Sequence, residues 1–260
     1  GPEEEAWAAR NRFHSFFRFH HNLRDIFGRG EVLTNPDWLA VPFDPDDPPP
    51  AGHKFWRSNP NLAHPGVAWA AASAAVDFFR EHPLDPSFAL GINDNLNFGR
   101  GPGIDARTRP LAYFRDRPDY ANLVFGFMNR VAGLVAEEYP DRYLGCLAYW
   151  LAEDVPDFPV DPHVIPFLTA DRSQGYDPAF AREDRDLIQR WGRAGPEFLG
   201  IYEYAHGPPH SWPRRASGLV LGNVGFAHRA GARAYFNELI AIWGFHGEMP
   251  WALGKLLWDP

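Results

Sequence analysis

Residues 164–204 read VIPFLTADRSQGYDPAFAREDRDLIQRWGRAGPEFLGIYEY, and this stretch decides the fold. Val164–Thr169 (VIPFLT) and Phe198–Tyr204 (FLGIYEY) are short apolar runs bounded by turn residues, as strands are. Between them Phe180, Leu187, Ile188 and Trp191 recur at helical spacing, and Pro178 stands where a first helical turn starts. Strand, helix and strand in that order predict a parallel βαβ unit. Working outward, the same strand character recurs at Arg12–His20 (RFHSFFRFH), Phe88–Asn93 (FALGIN), Tyr143–Trp150 (YLGCLAYW) and Ala232–Leu239 (ARAYFNEL). Helices are expected at the alanine-rich Pro65–Arg80 and through Leu123, Val124, Phe127, Val131, Leu134 and Val135, and Pro250 marks another helical start. The strands are apolar on both faces, as helix-covered sheets require. The expected architecture is α/β, a (β/α)8 TIM barrel. Six strands are legible rather than eight, so one or two strands are expected upstream of residue 1, in a larger chain, or go unread within this sequence. A doubly wound sheet is the second architecture, disfavoured because no glycine-rich phosphate loop follows any strand. The extended loop Asp44–Pro50 (DPDDPPP) separates no change in composition, so residues 1–260 read as a single domain.

Composition narrows the function. Hydrophobic residues make up 45% and charged residues 22%, ordinary for a chain with a real core. No apolar run reaches the roughly 18 residues of a membrane span. Against 33 acidic residues stand 25 basic ones, a net charge of −8, which argues against nucleic acid as a partner because phosphate contacts need clustered cations. The single cysteine, Cys146, excludes an intrachain disulfide and a cysteine zinc cluster, and its leucine and tyrosine neighbours mark it as a buried small hydrophobe. Aromatics reach 15%, with ten tryptophans, on a chain of 50 prolines and glycines in total. Many aromatics on many defined loops suit the stacking of sugar rings as well as they suit a large core.

In parallel barrels chemistry gathers at the C-terminal ends of strands. Past Phe88–Ile92 come Asn93, Asp94 and Asn95, and past Tyr143–Trp150 come Glu153 and Asp154. Past Val164–Thr169 come Asp171, Arg172 and Gln174; the FLGIYEY segment carries Glu203, Tyr204 and His206; the last strand carries Glu238. Cleaving an acetal needs a protonated acid at the leaving oxygen and a carboxylate opposite it. Carboxylates crowded in a partly dry cleft repel, so one of them holds its proton. Asp94, Glu153, Asp171, Glu203 and Glu238 are therefore the catalytic candidates. Each also has a plain reading: a turn cap for Asp94, a loop charge for Glu153, an ion pair for Asp171 with Arg172. Glu203 lies between Tyr202 and Tyr204, where a carboxylate is expensive unless used or paired. Asn93, Asn95, His20 and His206 are candidates for bonding sugar hydroxyls, Tyr149, Trp150, Tyr204 and Trp243 for stacking, and Arg172 for clamping a sugar carboxylate.

Other chemistries have less support. The sequence has no HExxH metal motif and no G-x-S-x-G elbow. His20 and His21, adjacent in a strand, would face opposite ways and could not ligate together. A magnesium-assisted lyase or isomerase on an acid sugar and a non-catalytic carbohydrate-binding module stay open as alternatives.

The blocks FALGINDN, LGCLAYWLAEDVPDFPVDPHVIPFLTADRSQGYD, RDLIQRWGRAGPEFLGIYEYAHG, YFNELIAIWGF and WALGKLLWDP, in this order, resemble a bacterial family, domain of unknown function 4838, over about Arg12 to Pro260. Its members are similar to α-glucuronidases of glycoside hydrolase family 67. The resemblance implies a secreted or periplasmic catalytic barrel acting on plant or algal polysaccharide, without a cofactor. By order along the chain, Asp94 matches the general-acid position, where those enzymes carry a glutamate. Asp171 and Glu203 match the base positions, Glu153 is a competing acid and Glu238 a competing base or substrate ligand. An inverting enzyme of this kind would separate its two carboxyl groups by about 6.5–9.5 Å, a retaining one by about 5 Å.

Overall fold

A computed structural model describes residues 17–27, 35–38, 40, 59–95, 97–204, 217–238 and 248–258, with Glu3 and Ala6. Chain order is helix α1 (Leu23–Ile26), α2 (Pro65–Glu81), strand β1 (Ser87–Ala89), α3 (Pro102–Thr108), β2 (Ala112–Phe114), β3 (Arg117–Asp119), α4 (Ala121–Ala136), β4 (Tyr143–Ala148), β5 (Val164–Ala170), α5 (Pro178–Trp191), β6 (Leu199–Glu203), α6 (Ser217–Arg229), β7 (Ala232–Asn237) and α7 (Glu248–Trp258). Strands β1, β4, β5, β6 and β7 form one parallel sheet in that spatial order, and β2 and β3 form a separate antiparallel hairpin.

The expected eight-stranded barrel is corrected by this topology: the described residues form a five-stranded half-barrel with helices. One reason is local. Arg12–His20, read as a strand, has no ladder in its described part; only His21 bridges to Gly91. The segment lies across the sheet. The Arg18 N–H donates to Ser87 Oγ at 2.6 Å, and Phe19 stacks on Phe167 of β5 with ring centroids 3.7 Å apart. Two glycines permit the approach: a Cβ on Gly145 would run into the Arg18 carbonyl oxygen, and one on Gly91 into that of His20.

Sheet alternation separates two apolar layers. Leu144, Cys146, Ala148, Val164, Leu168 and Ile201 face α2, α4 and α5 in the main core. Cys146 is fully buried there, and burial pushes its thiol pKa up. Leu147, Ile165 and Phe167 face the other way and are covered by Phe17 and Phe19. Helix α4 buries Leu123, Val124, Phe127 and Val131 along one side, as its spacing predicts. In α5 Asp177 caps the N-terminus by accepting the Ala179 N–H at 2.8 Å, with Pro178 in the first turn. Its buried stripe is Leu187, Ile188, Trp191 and one carboxylate, Asp184. No helix among the described residues is long and apolar enough to cross a membrane.

Candidate functional site

The face of the sheet turned away from the helices is lined by a cleft of ≈ 410 Å³, within the size range of small-molecule sites, about 300–1,000 Å³. The N-terminal segment contributes Phe19, His20 and His21; the strand ends contribute Tyr149, Tyr202, Tyr204 and Phe236. Because the segment is not a regular strand, both histidines border the same space. His21 Nδ1 meets the Ile92 carbonyl oxygen at 2.5 Å. His20 is held below its ordinary pKa mainly by burial, although Asp25 pulls the other way, so the imidazole favours its neutral form.

The carboxylate in the lining of this cleft, Asp85, pairs with Arg18 at 2.9 Å, and two further carboxylates are bonded to its tyrosines. Asp94, exposed beyond the end of β1, accepts the Tyr149 hydroxyl at 3.3 Å. Glu238, half-buried just past β7, accepts the hydroxyl of Tyr202. Burial pushes the Tyr149 phenol up, and the charges of Asp94 and then Glu238 push it further. Burial, then Glu238 and Asp94, raise Tyr204 to about 12. Each of these two tyrosines therefore feels both carboxylates, although β1 and β7 are the outermost strands of the sheet. Burial and the bond to Glu238 push the Tyr202 phenol up as well, so Tyr149 and Tyr202 stay protonated at neutral pH and donate to Asp94 and Glu238.

Of the remaining candidates, Glu153, Arg172 and Glu203 form a second, buried group on the helix side. Glu203, 1% exposed, accepts the Arg172 backbone N–H at 2.8 Å. The Arg172 guanidinium, equally buried, donates through Nε to Asp184 at 2.9 Å and through its terminal nitrogens to the carbonyls of Leu168 and Tyr202. It is turned inward and engaged, away from any ligand carboxylate in the cleft. Glu153 is buried and takes Arg115 and Arg117, the latter at 2.9 Å, while Arg115 Nη2 stands 3.8 Å from Asp184. A chain of alternating charge thus runs Arg117, Glu153, Arg115, Asp184, Arg172, Glu203. Burial raises the Glu203 carboxyl to about 7 against the pull of Arg172, and raises Glu153 against Arg115 and Arg117. Such a network specifies one packing of hairpin, α5 and sheet.

Asp171 accepts the Ser173 N–H at 3.0 Å and its hydroxyl at 2.5 Å, capping the short turn that follows β5. Asn93 is buried, with Oδ1 accepting the Arg24 N–H at 2.9 Å. Asn95 Oδ1 accepts from Asn59 and from the Asn97 N–H. Trp150 is 43% exposed beside Asp94. His206 and Trp243 lie outside the described residues. The sequence reading passed over Tyr202, Phe236 and His21 as cleft residues; the period-two pairing of Tyr202 with Tyr204 was the available signal. Among the described residues no group of three or more His, Cys, Asp or Glu side chains could hold a metal ion.

No curated protein and no solved structure matches the chain. A family model does, across residues 5–260. The protein accordingly belongs to the family described as domain of unknown function (DUF4838).

Proposed function

We propose that the protein is a glycoside hydrolase-like enzyme acting on a plant or algal oligo- or polysaccharide in the cleft beside Tyr149, Tyr202 and Tyr204. The observation that carries this reading is the pair Asp94 and Glu238, each bonded to a tyrosine of one aromatic cleft. Phenol and imidazole edges bond sugar hydroxyls, and the faces of Tyr204 and Phe236 offer apolar platforms. One carboxyl group gives a proton to the leaving oxygen as the bond to the anomeric carbon breaks. The other takes a proton from the water that adds there. The order of Asp94 along the chain, which resembles that of the acid in family 67 α-glucuronidases, supports it as the acid; with Asp171 capping a turn and Glu203 buried on the helix side, Glu238 is the base in this reading. That likeness also supports a periplasmic or extracellular location. A uronic acid as substrate draws less support, since Arg172 is committed to Asp184.

A second reading, carbohydrate binding without cleavage, draws on the burial of Glu153 and Glu203 away from the cleft. An NMR time course on neutral oligosaccharides and glucuronoxylan fragments separates the two. A new anomeric signal from the wild type supports the hydrolase, and its initial form gives inversion or retention. Ligand line broadening without turnover supports the binding module, and neither effect overturns both.

A further inference from the structure

Tyr149 is a shared wall. Besides the main cleft it lines a second cavity of ≈ 180 Å³, together with Ile92, Asp94, Asn95, Phe98 and Trp150. Asp94 lines this second cavity while holding the Tyr149 hydroxyl, so it stands where the two spaces meet. Asn95 Oδ1 is engaged by Asn59 and Asn97, so a ligand hydroxyl would meet its amide NH2. The indole of Trp150 is 43% exposed.

Trp150 is held in this position against its backbone preference. Its φ is +53°, in the left-handed region that bulky side chains rarely adopt. Strain of this kind persists only where the surroundings impose it, and it gathers at ligand sites. Here the surroundings are identifiable. The Arg117 guanidinium carbon lies 4.8 Å from the Trp150 ring centroid, and Arg117 is itself fixed by buried Glu153 at 2.9 Å. The charge network under the hairpin thus presses a cation onto one face of the indole and leaves the ring partly open to solvent.

We infer that the cavity beside Trp150 is a second sugar subsite, with Trp150 as its stacking platform, so that the linkage between two bound rings passes Asp94. The inference rests on the carbohydrate reading above and deepens it: the substrate spans at least two sugar units, one ring in each of the two spaces that Tyr149 lines. Trp150 is a binding residue, and Arg117 and Glu153 are positioning residues that act through it.

The test compares wild type, Trp150→Gly, Trp150→Phe and Tyr202→Ala for binding xylose and xylotriose, glucose and cellotriose, mannose and mannotriose by ligand-observed NMR. Glycine accepts a φ of +53°, so Trp150→Gly keeps the backbone, and an unchanged melting temperature verifies it. In the series that binds wild type, the trisaccharide should bind at least about tenfold tighter than its monosaccharide. Trp150→Gly should erase that gain, and Trp150→Phe should restore most of it. Trisaccharide affinity equal in wild type and Trp150→Gly, with loss in Tyr202→Ala, would overturn the subsite and leave the carbohydrate reading standing. No binding of any series to wild type would overturn both.

Discussion

Tyr202 and Glu203 are consecutive residues of β6 that work on opposite sides of the sheet. The Tyr202 hydroxyl donates to Glu238 at the cleft, whereas the Glu203 carboxylate accepts the Arg172 N–H at 2.8 Å beneath the helices. One peptide unit separates a group facing the cleft from a group locked in the core. On the proposed reading, the charged chain around Arg172 acts through stability and positioning, and the chemistry is assigned to the tyrosine-bonded carboxylates.

Removing Arg172 tests the first half of that division. Arg172→Met leaves Asp184 and Glu203 buried without their cation, and breaking a buried pair in this way costs about 3–5 kcal/mol. Urea unfolding should show a loss of that order. Sugar binding per folded molecule should persist, because the guanidinium is engaged with Asp184 and main-chain carbonyls. A variant of wild-type stability that no longer binds sugar would put Arg172 in the binding site.

A pH-dependent effect is expected at Asp119. Burial, and to a smaller degree the charges of Asp154 and Asp157, raise its carboxyl to about 6, against the lowering pull of the Ala121 N–H. The folded state then holds this proton where the unfolded chain releases it. Stability from this group is greatest below the ordinary carboxyl range and is lost as pH rises toward about 6. Asp119→Asn keeps the acceptor for Ala121 and removes the charge. Discounted for the group's partial exposure, it should stabilise by about 1 kcal/mol above that window and by nothing at low pH. Denaturant midpoints of both proteins between acid and neutral pH check this; a difference that does not vary with pH would refute it.

Gly145 should tolerate no side chain. A methyl there meets the Arg18 carbonyl oxygen, a backbone atom that cannot swing away. Gly145→Ala should lift residues 17–21 off the sheet, break the Phe19–Phe167 stack and cost about 1–3 kcal/mol. Because His20 and His21 line the cleft, ligand binding should fall along with the melting temperature. Binding that survives the substitution would remove the N-terminal segment from the site.

Much of this fold is legible in the chain. β4, β5 and β6 are apolar runs between turn signals, and α4 and α5 carry buried stripes at helical spacing. What misleads is pairing. Phe17 and Phe19 alternate as in a strand, but the alternation is satisfied by pressing both rings onto the sheet face, which no local pattern distinguishes from a ladder. The β2–β3 hairpin is invisible for a different reason. Its turn residues Arg115 and Asp116 adopt φ of 50° and 58° without the glycine or asparagine that usually announces them. Within the candidate site, the sequence analysis groups Glu203 with Tyr204, whereas alternation in β6 puts Tyr202 at the cleft and Glu203 on the helix side. Which side meets the helices depends on α5 and on Asp184, and the partners of Glu153 come from the unread hairpin.

The most direct measurement is turnover of one oligosaccharide substrate by Asp94→Asn, Glu238→Gln and Glu203→Gln beside the wild type, each normalised to folded protein. The expected result is loss of turnover by at least about a hundredfold in the first two at near wild-type melting temperatures. Glu203→Gln should retain turnover per folded molecule while its stability shifts. Abolished turnover in a fully folded Glu203→Gln, with Asp94→Asn and Glu238→Gln active, would contradict the account and move the chemistry to the helix side of the sheet.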